Sequence, residues 1–300
     1  MKGIILAGGS GTRLYPITMG VSKQLIPVYD KPMIYYPLSV LMEAGIRDIL
    51  IITTEDDQES FKRLLGDGTR FGVNLSYAIQ PRPDGLSQAF VIGEDFIGNS
   101  ECAMILGDNI FYGSGLNKVL NEATYNSING NATIFGYQVK DPQRFGIMEI
   151  EKRNNDICVV SVEEKPENPK SDYAITGLYF YPKGVSEMAK MVKRSKRNGF
   201  EITSLNDMYL RDGKLKACLL NYGYTWFDTG TFDSLIDASN MVRTIQNNRD
   251  MLICSPEIIG FNNGWIDDNA FLENAYQMEK NNYGKSLIRH REKIGGKYIN

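Results

Sequence analysis

A short apolar segment, Gly3-Ile4-Ile5, runs directly into Leu6-Ala7-Gly8-Gly9-Ser10-Gly11-Thr12-Arg13-Leu14, and this junction constrains the fold more than any other part of the chain. It reads as a buried strand feeding a glycine-rich loop. Bare backbone N–H groups there can converge on anionic oxygens, because no Cβ atoms hold a ligand away. Two familiar phosphate motifs do not fit. Leu14 stands where a dinucleotide fingerprint needs a third glycine, and no Gly-Lys-Ser/Thr closes the loop as a Walker A site requires. Instead Arg13 ends the loop and Lys23 follows ten residues later. Two cations beside a phosphate-shaped loop point to a triphosphate.

Downstream, apolar runs alternate with amphipathic ones, the pattern of a parallel sheet covered by helices. Strands are expected at 2–6, 48–53, 75–80 and 103–106, and helices at 33–44, 56–65, 87–96 and 116–124. From Asn131 the segments 132–139, 147–152, 158–163 and 174–181 follow one another with little helix between them, which predicts antiparallel additions. Helices resume at 184–193 and 204–211, a strand is expected near 214–220, and a helix runs from 232 to about 247. The expected fold is a Rossmann-like three-layer α/β/α arrangement with a mostly parallel mixed sheet. Residues 1–250 would form the main domain, with an antiparallel segment inserted at about 131–181, and residues 251–300 a helical appendage docked on it.

Composition removes several function classes. The net charge of -3 argues against a nucleic-acid surface, which needs a basic excess. Cys102, Cys158, Cys218 and Cys254 lie far apart with no Cys-x-x-Cys pair, so buried free thiols in a reducing cytosol are expected and a zinc site is not. The apolar part of the amino terminus is too short for a signal peptide, and no stretch is long enough to span a bilayer. A cytoplasmic protein with no membrane or nucleic-acid partner is the expectation. The one histidine, His290, lies far out in the tail, which argues for a surface residue and against histidine-based chemistry.

Asp108, in Gly107-Asp108-Asn109, sits just past the end of a buried strand, where open α/β sheets bind ligands. An isolated aspartate there would read as a turn residue, but the phosphate loop should open onto the same crevice. Asp228, in Trp226-Phe227-Asp228-Thr229-Gly230-Thr231, caps the following helix on one reading. On the other it joins Asp108 in holding a magnesium ion, which favours few carboxylates plus water and phosphate oxygens. Glu163-Glu164-Lys165-Pro166 alone would be a solvated strand end. Gln80-Pro81-Arg82-Pro83-Asp84-Gly85-Leu86-Ser87-Gln88-Ala89 is a rigid loop entering a helix, either a plain connector with Ser87 near the cap or a place where Gln80 offers its amide to a nucleobase.

Together these residues resemble the sugar-nucleotidyltransferases, which join a nucleoside triphosphate to a sugar 1-phosphate, and most of all the members that use dTTP and glucose 1-phosphate. The similarity runs from Gly3 to Asn281-Asn282-Tyr283-Gly284. It includes Gly8–Pro16, Ser22-Lys23-Gln24-Leu25-Ile26-Pro27, Asp30–Leu38, the Gln80–Ala89 loop, Leu106–Gly113, Glu163–Pro166, Thr176–Tyr181 and Trp226–Thr231, all in the family order. Arg82 and Ser87 replace commoner small residues, Asn154-Asn155 sits in a slightly enlarged loop, and the tail around Ser255-Pro256-Glu257 matches less well.

The resemblance implies a single displacement in which dTTP and glucose 1-phosphate give dTDP-glucose and pyrophosphate, the first step toward dTDP-deoxysugars. Its implied nucleotide-binding residues are Leu6, Gly8, Gly9, Gly11, Thr12, Arg13, Lys23, Gln24, Gln80, Pro83, Gly85 and Asp108. Arg13 and the loop amides would hold the departing phosphates, Lys23 the α-phosphate, and Gln80 with the Gly85 backbone the thymine edge. Asn109, Gly146, Glu164, Lys165, Ile175 and Thr176 would bind the sugar phosphate, with Lys165 anchoring its anion and Glu164 choosing the sugar. Mg2+ would sit on Asp108 and Asp228, and Arg13, Lys23, Asp108, Lys165 and Asp228 make up the catalytic set. A homotetramer is also implied, and by analogy an end-product site near Tyr112-Gly113 and the tail. Alternatives are UTP or another hexose 1-phosphate as substrate, and a silent sugar-nucleotide sensor, which would not need every one of these charges. A nicotinamide dehydrogenase is disfavoured by Leu14.

Overall fold

A computed structural model describes residues 1–9, 11–153, 156–195 and 199–295. Ser10 of the glycine loop and the Asn154-Asn155 pair lie outside the described residues. The chain opens with β1 (Lys2–Ala7), crosses three one-turn helical pieces, and forms a small hairpin of β2 (Pro27–Val28) and β3 (Lys31–Pro32) before α1 (Tyr35–Glu43). There follow β4 (Asp48–Thr53), α2 (Gln58–Leu65), β5 (Asn74–Ile79), α3 (Gln88–Ile92), α4 (Glu94–Ile97) and β6 (Cys102–Leu106). β1 pairs in parallel with both β4 and β6, and β4 with β5. Ile4, Ile5 and Ile49–Ile52 are buried on both faces, which is why these strands read as unbroken apolar runs.

Next come β7 (Asn109–Gly113), α5 (Leu116–Ile128), β8 (Ala132–Gln138), β9 (Gly146–Arg153), β10 (Asp156–Glu164) and β11 (Tyr173–Tyr181). The remaining elements are α6 (Val185–Lys190), α7 (Ile202–Arg211), β12 (Leu215–Leu219), β13 (Tyr224–Asp228), α8 (Phe232–Arg249), α9 (Pro256–Asn262), α10 (Asp268–Gln277) and α11 (Asn282–Gly295). The nine-stranded sheet runs β10-β9-β11-β6-β1-β4-β5, with β8 joining β11 to β12. β11 is antiparallel to β6, β8 and β9, as the texture after Asn131 predicts, whereas β12 returns parallel to β8.

Helices cover both faces. One core gathers Leu38, Leu41, Phe71, Phe111 and Leu120 with Phe271, Ala275 and Leu287 from the last helices. The other joins Phe90, Tyr181, Val185, Leu205 and Tyr209 across the opposite face. A third, smaller cluster packs Leu14, Ile26 and Met33 against Leu235, Ala238 and Val242 of α8, fixing the floor of the glycine loop. No helix among the described residues is long and apolar enough to cross a membrane. All four cysteines are free, but only Cys102 and Cys218 are fully buried; Cys158 and Cys254 are half-buried.

Two expectations need correcting. The single helix at 87–96 breaks at Gly93 into α3 and α4, since glycine in a helix interior gives up the most backbone entropy and adds no side-chain contact. Gly107-Asp108 form a turn as read, but Asn109 and the segment read as a cap at Asp228 belong to an antiparallel pair, β7 with β13. The cap of α8 is Thr231, whose hydroxyl and that of Ser234 form a reciprocal capping box.

Candidate active site

Strands β1 and β6 end side by side, and their carboxyl ends open onto one cleft, as parallel α/β sheets require. A cavity of about 240 Å³ there is lined by Gly8, Gly9, Gly11, Thr12, Arg13, Leu14, Lys23, Gln24, Asp108 and Gly230. Leu6 is not among the residues that line it, but its carbonyl accepts the Gly107 N–H at 2.9 Å. The Arg13 guanidinium lies so close over Gly230 that a methyl group there would stand 2.8 Å from it. Glycine after Asp228-Thr229 leaves room for the guanidinium over that turn. Gln24 is buried, its side-chain oxygen accepting from the Ser22 hydroxyl at 3.0 Å.

The acidic groups sit at the back of this cleft. Lys23 Nζ donates to Asp108 Oδ2 at 2.5 Å, and Asn109 Nδ2 donates to Asp108 Oδ1 at 2.9 Å. The Thr229 hydroxyl and N–H hold the Asp108 carbonyl at 2.7 and 3.2 Å. Asp228 lies opposite Asn109 in the β7–β13 register, one position from Asp108. Burial pushes the Asp108 carboxyl up, but the charge and hydrogen bond of Lys23, the Asn109 amide and Arg13 outweigh it, so its pKa is lowered. Asp228 moves the other way: burial first, then the charge of Asp108, raise it against the opposing pull of Lys23, Arg13 and Arg144. Two oxygen-donor carboxylates that repel one another suit a hard divalent cation completed by water and phosphate oxygens. Among the described residues there is no cluster of three or more His, Cys, Asp or Glu side chains that could form a cage for a metal.

Asn109 joins this acidic corner to the sheet's antiparallel half. It is 2 % exposed, and its Oδ1 accepts from Trp226 Nε1 at 2.6 Å and from Gly177 N–H at 3.0 Å. That N–H is available because β11 slips register against β8 between Ile175 and Tyr179. The same slip surrounds Thr176, which is fully buried with no partner for its hydroxyl. Phe145 and Tyr137 pack edgewise on Trp226, with ring centroids 5.3 and 5.8 Å away. Gly146 follows, opposite Glu164 in the β9–β10 register. Lys165, at a left-handed φ of 45°, donates its N–H to the Phe145 carbonyl at 3.0 Å and holds Nζ 3.9 Å from Glu164 Oε1. An L side chain at that φ is strained, which is common where a functional group must be aimed.

At the far end of the cleft Gln80 is buried against Gly8. Its Nε2 donates to Gln88 Oε1 at 2.9 Å and points at the Gly85 carbonyl at 3.5 Å. Pro83 is exposed in the loop that follows. Ser87 fills the cap position of α3, but its hydroxyl makes no cap and donates instead to the Glu201 carbonyl at 3.0 Å. His290 is half-buried in the carboxyl-terminal helices, where it bonds Asn262 at 3.0 Å and packs near Phe271. Sequence reasoning missed Trp226, Thr229, Arg144, Gln88 and Thr203. For Trp226 a signal existed: it and Asp228 are two residues apart and share one face of a strand.

The sequence profile of the nucleotidyl transferase family matches residues 2–245, most of the chain and all of the cleft. The chain belongs to the nucleotidyl transferase family. Within this family it is 57 % identical over 289 residues to a glucose-1-phosphate thymidylyltransferase of Neisseria meningitidis, covering 96 % of this chain and 99 % of that one. It is 53 % identical to the Mycobacterium tuberculosis enzyme of the same name, covering 98 % and 100 %. A solved Bacillus anthracis structure carrying that enzyme name, in complex with a sucrose, superposes with a TM-score of 0.72 at 40 % identity over 81 % of this chain and 95 % of its own. A UDP-glucose pyrophosphorylase with bound UDP-glucose shares the fold at 24 % identity, with a TM-score of 0.71, over 81 % of this chain and 98 % of that one.

Proposed function

We propose that this chain transfers the thymidylyl group of dTTP to α-D-glucose 1-phosphate, forming dTDP-glucose and releasing pyrophosphate. The observation that carries the reading is the cleft itself: a glycine loop, Arg13, Lys23 and Asp108 line one cavity, in a chain 57 % identical to a thymidylyltransferase. An oxygen of the sugar phosphate attacks the α-phosphorus of dTTP while the bond to the departing pyrophosphate breaks. The obstacle is bringing one anion onto another, so alignment and charge neutralisation do most of the work and no proton shuttle is needed.

In this reading the amides of Gly8, Gly9 and Gly11, with Arg13, hold the phosphates that leave. Lys23 steadies the α-phosphate as charge builds there. Lys165 anchors the incoming sugar phosphate, and Glu164 with the backbone at Gly146, Ile175 and Thr176 meets the sugar hydroxyls. Gln80 reads the base: with Nε2 turned to Gln88 and Gly85, its Oε1 is left as an acceptor for a thymine N–H. Asp108 and Asp228 would hold Mg2+, which when bound offsets phosphate charge as a Lewis acid. A cytoplasmic homotetramer is proposed on family resemblance, and a sedimentation mass of one chain would refute the assembly.

The test is pyrophosphate release from purified protein with glucose 1-phosphate and each of dTTP, UTP and CTP. Turnover is expected to be best with dTTP and weaker with UTP by roughly 10–200-fold, because the two bases differ by one methyl group. No release with any of the three would sink the reading.

A further inference from the structure

The loop proposed to read the base and the carboxylate proposed to face the sugar are both held by one short stretch of chain. At its start, Phe200 donates its N–H to the Asp84 carbonyl at 2.7 Å and accepts from the Ser87 N–H at 3.1 Å. Gly85 packs so tightly on this backbone that a Cβ there would fall 2.5 Å from Phe200 atoms. The next residue, Glu201, accepts the Ser87 hydroxyl at 3.0 Å. Ser87 is 1 % exposed. Two residues further on, Thr203 Oγ1 donates to Glu164 Oε2 at 2.5 Å. Three peptide units separate Phe200 from Thr203, so at most about 11 Å of backbone links the two ends.

We infer that Phe200–Thr203 is a positioning strap that sets the base-reading loop with its first two residues and the Glu164 carboxylate with its last. This rests on the placement of the base at Gln80 and of the sugar at Glu164 proposed above. A carboxylate only accepts hydrogen bonds, and the terminal torsion of glutamate is broad. With Oε2 tied to Thr203, Oε1 is presented to the sugar. Without that tie the carboxylate can swing onto Lys165 Nζ, already 3.9 Å from Oε1. Sugar choice and the anchoring of the sugar phosphate would then weaken together. Thr203 touches no reacting atom; it acts through Glu164.

The experiment compares wild type, T203V, T203S and S87A by pyrophosphate release. The probes are glucose 1-phosphate, galactose 1-phosphate and 2-deoxyglucose 1-phosphate at saturating dTTP, and dTTP titrated at saturating glucose 1-phosphate. Valine keeps threonine's shape but loses the hydroxyl. T203V is expected to raise the KM for glucose 1-phosphate about ten- to a hundredfold, the scale of one hydrogen bond to a charged group. It should shrink discrimination against the other two sugars, move kcat little, and keep the dTTP KM within about twofold. T203S should restore wild-type behaviour. S87A should raise the dTTP KM about threefold and loosen sugar discrimination in the same direction as T203V. An active wild type whose sugar KM and discrimination are unchanged in T203V overturns the strap alone. Sugar discrimination unaffected by S87A overturns the link between its two ends. A wild type that releases no pyrophosphate overturns the functional reading and the strap with it.

Discussion

The two halves of the cleft are built by opposite means. In the half built on β1, β4 and β6 the lining comes mostly from one contiguous glycine-rich loop, with Arg13 and Lys23 added to it. In the half built on β7, β13, β10 and β11 the groups are mostly side chains that position one another: Trp226 and the Gly177 N–H hold Asn109, Asn109 holds Asp108, and Thr203 holds Glu164. A backbone cradle fails when a Cβ is added, because the ligand or its neighbours are pushed away. A side-chain relay fails when a hydrogen-bonding atom is removed, because a buried partner is left unsatisfied. Asp108 belongs to both halves, and substitutions there should hurt most.

Asp108→Asn, nearly isosteric, is therefore expected to cut kcat/KM by about a thousandfold or more, the scale of lost charge stabilisation at a metal and phosphate centre. A magnesium titration should show a higher half-saturation concentration in the same variant, and an unchanged rate would take the metal off this carboxylate. Lys165→Ala tests the sugar half: kcat/KM for glucose 1-phosphate should drop about a hundredfold, while dTTP binding by calorimetry stays within about twofold. Loss of dTTP affinity instead would reverse the assignment of the two halves. Gly230→Ala probes the cradle by crowding Arg13, and about a tenfold rise in the dTTP KM is expected, with the sugar KM little changed. Trp226→Phe keeps the ring packing but deletes the N–H to Asn109, and should lower kcat about three- to tenfold through the loosened Asp108.

Outside both halves, Glu43 at the end of α1 serves as a control. Burial raises its carboxyl from 4.5 to about 7. A raised acid contributes stability that is present below about pH 4.5 and is lost as pH rises through about 7, because ionisation is disfavoured only in the folded chain. Glu43→Gln should match wild type near pH 4 and exceed it by about 1–3 kcal/mol at pH 8 in urea unfolding, with turnover unaffected. Equal stability at both pH values would show that the carboxylate is solvated.

Legibility in the sequence followed the same division. The strands at the centre of the sheet were readable because Ile4-Ile5 and Ile49–Ile52 are unbroken apolar runs, and the glycine loop because its residues are adjacent. The β7–β13 pair was not readable. Asn109–Gly113 and Tyr224–Asp228 are far apart in the chain, and neither shows a clean alternation, so only their pairing reveals them as strands. Thr231, rather than Asp228, caps α8 because Asp228 is already committed to β13. Ser87 looked like a cap and became a tie to Glu201, since the chain brought a buried carbonyl against its hydroxyl.

What the amino-acid order determined by itself is local: a strand that must be buried, a loop that can wrap phosphate, cations close behind it, and carboxylates at strand ends. What the tertiary structure decided is which of these face one another. The opposed shifts of Asp108 and Asp228, the doubly occupied oxygen of Asn109 and the tie from Thr203 to Glu164 exist only once distant strands are in register. Hydrogen bonds and charge interactions act over a few ångströms, and along this chain the partners that make them stand dozens of residues apart.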